Sequence, residues 1–398
     1  MSSAPARLAT PCGRIWRLYA ALPTTIRSME LHCGAILPAN FWPLRATPSD
    51  SDSSSTMAAA PVNRQWRLKS RPTGLIKADN FELVSQPMPE PEESQLLIRS
   101  VYLSLDPAMR GWLIDRPSYV PPVQIGEIMR GLAIGVVEKS NHPKFSAGDR
   151  VHGMFGWQEY LLSNGEAVTK LPESGLPFSA YLGLFGLAGL TAYSGLLEVG
   201  QPKGGETLLI SGAAGSVGSL VGQIGKIKGL RVVGIAGTDE KCNWLREELA
   251  FDAAVNYKDD NYKKQLKAAC ANGVDIYFEN VGGEILESAL YLMNTFGRVV
   301  LCGLISQYNA TAPVPGPSNF ALVISKRLKI QGFLATDHSS KVTEMLSNFT
   351  QWHSSGRLKY RVDIVRGLEC APAALNKLFD GSNNGKLMVQ LSDPPATP

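Results

Sequence analysis

The chain has 398 residues, 44% of them hydrophobic, and a formal net charge of +4. That length accommodates two domains. The small charge, without a lysine–arginine block interleaved with aromatics, argues against a nucleic-acid partner. No apolar run reaches the ~20 residues of a membrane-spanning helix. Cys12, Cys33, Cys242, Cys270, Cys302 and Cys370 form no C-x-x-C pair and have no histidine at ligand spacing. Reduced thiols in an intracellular, cytoplasmic compartment fit that pattern.

Residues 1–56 stand apart. They carry five arginines, no lysine and only Glu30, Asp50 and Asp52 as acids, and end in the polar run Ser49 to Thr56. Three readings stay open: an organellar (for example mitochondrial) transit peptide, a disordered extension, or sequence upstream of a true start at Met57.

From Val62 to Val84 the pattern predicts strands around the turn Pro72–Thr73–Gly74. Further strands follow at Gln95–Tyr102 and Arg130–Glu138, and then a turn and strand at Phe145–Gly153. Many short strands with glycine turns predict a small β-barrel. Leu182 to Val199 reads as linking helices.

The stretch from Glu206 to Lys241 organises the rest. An apolar strand, Thr207 to Ile210, leads into the turn Gly212-Ala-Ala-Gly215-Ser-Val-Gly218. A helical period follows through Val217, Leu220, Val221, Ile224 and Ile227, and then a second strand, Arg231 to Ile235. Strand, glycine turn, helix, strand is the first half of a dinucleotide-binding fold. Gly212 permits the sharp turn, Gly215 leaves room for a pyrophosphate against main-chain N–H groups, and Gly218 lets helix and strand pack closely. Ala214, Ser216 and Val217 complete the expected phosphate contacts. The alternative is a glycine-rich helix–strand contact without a ligand.

The second strand ends at Gly237 and Thr238 with no acid at its tip, and Lys241 follows. An NAD site usually places Asp or Glu there. These groups suit a 2′-phosphate instead, so the cofactor is read as NADP(H). A solvated helix-surface lysine is the alternative. Later apolar strands at 274–280, 298–303 and 328–334 predict a doubly wound parallel Rossmann sheet in an α/β protein. A helix near Ser339–Ser355 leads out of it, and Tyr360–Val365, Pro372–Phe379 and Lys386–Leu391 return to the first domain.

The order barrel, Rossmann domain, barrel resembles the medium-chain dehydrogenase/reductase superfamily over residues 62–392. LSLDPAMRGW (103–112), the AAGSVGS…AGTDEK pair, FENVGG (278–283) and LCGLISQYN (301–309) are similar to its zinc-independent double-bond reductases, the group of prostaglandin (leukotriene 12-hydroxydehydrogenase), alkenal and curcumin reductases. The resemblance implies a GroES-like barrel domain at 57–190, an NADP-binding domain at 191–355, a return at 356–398, and a homodimer. It implies no metal: zinc alcohol dehydrogenases carry Gly-His-Glu and a cysteine in the barrel. Here the comparable stretch is Arg130-Gly-Leu-Ala-Ile-Gly, and 57–241 hold no cysteine. His142 and His152 read as structural.

The implied reaction is hydride transfer from NADPH to the β-carbon of an enone or alkenal. Tyr308 is the candidate catalytic donor, and also a cofactor and substrate contact. It follows a predicted parallel strand on the ligand edge, and a phenol of pKa ~10 is protonated at neutral pH. A loop-capping tyrosine in water is the alternative. The family often has a tyrosine where this chain has Ala108, which widens the pocket. Asp106, Met109 and Arg110 are expected to shape the substrate side; a surface turn with a core methionine is the other reading. Tyr257, Asn280, Gly303 and Asn383 match family cofactor contacts, although Asn383 also suits plain turn chemistry. A quinone reductase and a non-enzymatic NADPH-binding protein are the competing functions.

Overall fold

The computed structural model describes residues 61–172 and 176–395, and the 1–56 extension lies outside them. The chain opens with the antiparallel pair β1 (Val62–Leu68) and β2 (Phe81–Pro87). Then come β3 (Leu96–Ser104), the short helix α1 (Ala108–Trp112), β4 (Ala133–Ser140), β5 (Arg150–Gly153), β6 (Tyr160–Ser163) and β7 (Val168–Lys170). The linking helix α2 (Leu187–Ser194) runs on into a π-helical turn, Gly195–Gly200. At Gly195 a Cβ would lie 2.5 Å from the Phe333 ring and 2.8 Å from Phe278, so the glycine admits that close packing.

The second half alternates strand and helix. Its elements are β8 (Thr207–Ile210), α3 (Ser216–Ile227), β9 (Arg231–Ala236), α4 (Asp239–Glu247), β10 (Ala253–Asn256), α5 (Tyr262–Ala269), β11 (Val274–Glu279), α6 (Gly283–Leu292), β12 (Met293–Leu301), α7 (Leu322–Ser325) and β13 (Lys329–Gly332). Then α8 (Val342–Ser354), β14 (Val362–Arg366), α9 (Ala371–Asp380) and β15 (Lys386–Gln390) complete the chain.

Strands β8 to β13 form one parallel sheet, ordered β10-β9-β8-β11-β12-β13. Its strands read as continuous apolar runs because both faces are covered. Leu208 and Ile210 join the core on one face, and Leu209 between them joins the other. The other sheet, antiparallel except between β14 and β15, has the order β14-β15-β3-β4-β5-β7, with β6 also on β3. The C-terminal segment does return there: β15 pairs antiparallel with β3. Its core gathers Leu96, Ile98, Leu103, Met109, Trp157 and Leu387.

Strand β12 starts at Met293, ahead of the expected 298. Its first residues include Asn294, Thr295 and a Phe296 with φ +66°, which hide the strand pattern. Among the described residues no helix is long and apolar enough to cross a membrane.

Candidate active site

The glycine turn after β8 has the geometry a pyrophosphate needs. Gly212 has φ +58°, a left-handed conformation that favours glycine. A Cβ on Gly218 would meet the Gly212 carbonyl oxygen at 2.5 Å, so no larger residue fits. Gly215 caps α3, whose first N–H groups open toward the turn through Ser216 and Val217. An isolated parallel bridge joins Gly215 to Gly385. That contact brings the Asn383 loop to the turn, with Asn383 Nδ2 donating to the Gly385 carbonyl at 3.0 Å.

At the tip of β9, the Thr238 hydroxyl accepts from the Lys241 N–H at 3.2 Å and caps α4. The Lys241 ammonium donates to the Gly381 carbonyl at 2.6 Å, so it is anchored across the cleft and is not a freely solvated charge. Burial first, and the neighbouring Lys258 second, push its pKa down. The Tyr257 ring stands beside Gly237, where a Cβ would lie 3.1 Å from it, and Lys258 Nζ is 5.9 Å from the ring centroid. Two lysines, a hydroxyl and an aromatic face thus gather where a 2′-phosphate would sit. Lys258 was not singled out from the sequence; its adjacency to Tyr257 was the available signal.

On the other side of the switch point, Asn280 spends its amide on the frame. Its Nδ2 donates to the Ser211 carbonyl at 2.7 Å. Gly303 follows β12, and a Cβ there would approach the Tyr308 hydroxyl to 3.0 Å. That hydroxyl accepts from the Leu304 N–H at 3.3 Å. Burial pushes the Tyr308 pKa up, so the phenol keeps its proton at neutral pH and can donate it to an oxyanion.

A largely apolar cavity of about 200 Å³ lies between the two halves, walled by Trp112, Tyr119, Tyr181, Leu190, Cys302 and Phe333 among others. Ala108 also faces the cavity, one helical turn from Trp112. Asp106, Met109 and Arg110, expected on the substrate side, are not among the residues that line this cavity, and neither is Tyr308. Met109 is fully buried in the barrel core. Asp106 pairs with the buried Lys386 ammonium at 2.6 Å. Arg110, 3% exposed, donates to Asn309 Oδ1 at 2.9 Å and to the carbonyls of Pro72 and Gly74. It thereby ties the barrel helix to the loop that carries Tyr308.

His152, read as structural from the sequence, contributes to the cavity wall. Burial pushes its pKa down to about 4, so the ring is neutral at physiological pH. Among the described residues no three His, Cys, Asp or Glu side chains cluster as metal ligands would.

The parallel sheet, the phosphate turn at its switch point and the cavity against a second domain define a two-domain, dinucleotide-dependent oxidoreductase. Residues 64–171 match the family described as the N-terminal domain of oxidoreductase, and residues 216–351 the family described as zinc-binding dehydrogenase. The chain is 46% identical over 335 residues to NADPH-dependent curcumin reductase of Escherichia coli strain K12, spanning 83% of this chain and 97% of that protein. It is 40% identical to the NADP(+)-dependent 2-alkenal reductase of Nicotiana tabacum over 84% of this chain and 99% of that one. The structure of CurA in complex with NADPH from Vibrio vulnificus superposes with a TM-score of 0.80 at 46% identity, over 83% of this chain and all of that one. This chain belongs to the medium-chain dehydrogenase/reductase family.

Proposed function

We propose that this protein reduces the C=C bond of α,β-unsaturated aldehydes and ketones with NADPH as reductant. The observation that carries the reading is the apolar cavity between the two halves, at the strand ends where a nicotinamide would lie, with the half-buried, protonated Tyr308 phenol six residues past Cys302 of its wall. The relatives named as curcumin and 2-alkenal reductases support it.

NADPH supplies the hydride, which adds to the substrate β-carbon. The residues proposed to hold it are the 212–218 turn, Gly237, Thr238, Lys241, Tyr257, Asn280, Gly303 and Asn383. As the C=C π pair moves toward the carbonyl oxygen, the Tyr308 phenol donates a hydrogen bond to the developing enolate. A proton added at the α-carbon completes the saturated product. Ala108 leaves space for the substrate, and the apolar wall excludes water. Following cofactor absorbance with a 2-alkenal, a substituted enone and a quinone tests this. Saturated aldehyde and ketone products with an NADPH preference are expected; turnover of the quinone alone would refute it.

A homodimer through β13 is part of the proposal. β13 has one sheet neighbour, and Tyr291, Phe296 and Ile324 are exposed near that edge, Ile324 at 80%. A monomeric mass by sedimentation equilibrium would remove it. Free thiols at Cys242, Cys270, Cys302 and Cys370 support a cytoplasmic location. Recovery in an organelle on cell fractionation would point instead to residues 1–56 as an address.

A further inference from the structure

Glu279 is the last residue of β11, and it is fully buried. β8 and β11 meet at the centre of the parallel sheet, where the strand order turns from 10-9-8 to 11-12-13. A dinucleotide crosses an open α/β sheet over the strand ends at that point. The Glu279 carboxylate spans it. Oε1 accepts from Ser211 Oγ, just past β8, at 2.6 Å, from the Gly282 N–H at 3.0 Å and from the Val281 N–H. Oε2 accepts from the Tyr277 hydroxyl at 2.7 Å. The Glu279 main-chain carbonyl accepts from the N–H groups of Cys302 at 2.9 Å and Gly303 at 3.1 Å. The residue therefore backs the strand end that gives Cys302 to the cavity wall.

Two main-chain N–H groups, which can only donate, and two hydroxyls surround the carboxylate, a cage suited to an anion. Every one of these donors is neutral. Neutral donors spread an anion's charge without cancelling it. A buried anion lacking a cation is costly, and here it lies where the cofactor passes.

We propose that Glu279 is a positioning residue whose charge favours the cationic, oxidised nicotinamide over the neutral, reduced one, making bound NADPH a stronger hydride donor. The hydride leaves with its electron pair for the substrate β-carbon. The positive charge left on the ring finds its counter-charge in the Glu279 carboxylate, and no proton moves at Glu279. The cofactor phosphates repel this carboxylate equally in both oxidation states, so their contribution cancels from the comparison.

The test is equilibrium binding of NADP+ and NADPH, without substrate, to the wild type and to Glu279→Gln, followed by tryptophan fluorescence. Glutamine keeps an oxygen for the three donors at Oε1 and turns its amide to the Tyr277 hydroxyl, which can accept. The ratio Kd(NADP+)/Kd(NADPH) is expected to rise roughly threefold to tenfold. Equal changes in both constants, or a fall in the ratio, would overturn the proposal. Tyr277→Phe keeps the carboxylate and removes one neutral donor, so the ratio should fall by about twofold. If Glu279→Gln does not fold, an unchanged or raised ratio in Tyr277→Phe overturns the proposal on its own.

Discussion

The phosphate turn and the 104–112 segment form opposite sides of one cleft and hold their shape by different means. The turn is a backbone device. Its form follows from Gly212, Gly215 and Gly218 within seven consecutive residues, and a side chain at Gly218 has nowhere to go. The barrel segment is held by side chains from far along the chain. Asp106 meets Lys386 across 280 residues, and Arg110 meets Asn309 across 199. A contiguous backbone site tolerates change in distant residues, whereas a site assembled from buried polar contacts depends on every partner.

The sharpest break in that contrast is Asp106→Ala. It leaves the Lys386 ammonium, 4% exposed, without its carboxylate. The expected loss is about 3–5 kcal/mol of unfolding free energy, read by urea denaturation; a loss below ~1 kcal/mol would show that the pair behaves like a surface one.

A pH titration probes the cavity wall itself, through His152. An unfolded imidazole titrates near ~6.5, but folded His152 titrates at about 4. As pH falls the unfolded chain takes up the proton first, so stability drains away between those two values, by roughly 3 kcal/mol in all. His152→Gln should lack this component. Identical urea midpoints against pH in both proteins would show that another group governs the acid limb.

On the cofactor side the effects are kinetic. Tyr308→Phe should lower kcat on enones by about 100-fold with little change in NADPH affinity. An unchanged kcat would remove Tyr308 from the enolate role. Lys241→Ala should raise the KM for NADPH at least ~10-fold while barely moving that for NADH. Equal effects on both cofactors would mean that the lysine serves only its bond to Gly381.

The Rossmann half was readable because each of its parts is local. Strand β8 falls on the predicted Thr207–Ile210, and β9 runs one residue beyond its predicted end. The absence of an acid at the tip of β9, at Gly237 and Thr238, could likewise be read from a few consecutive residues. The barrel side was less legible. Residues 103–112 stood out in the sequence, but Ala108 and Trp112, which line the cavity, were not told apart there from Asp106, Met109 and Arg110, which do not. A five-residue helix carries too little periodicity to show which side it buries, so Ala108 and Trp112 could not be separated from Met109 and Arg110.

Contiguous residues thus settled the cofactor turn, the parallel sheet and the family, since hydrogen bonding and φ preferences act over a few positions. Packing settled the rest. The anchoring of Lys241 on Gly381, the cavity face of His152 and the neutral cage around Glu279 all join segments that are close only once both cores have formed. Burial then decides that the His152 ring is neutral, because a group's desolvation depends on what surrounds it and not on its neighbours in the chain.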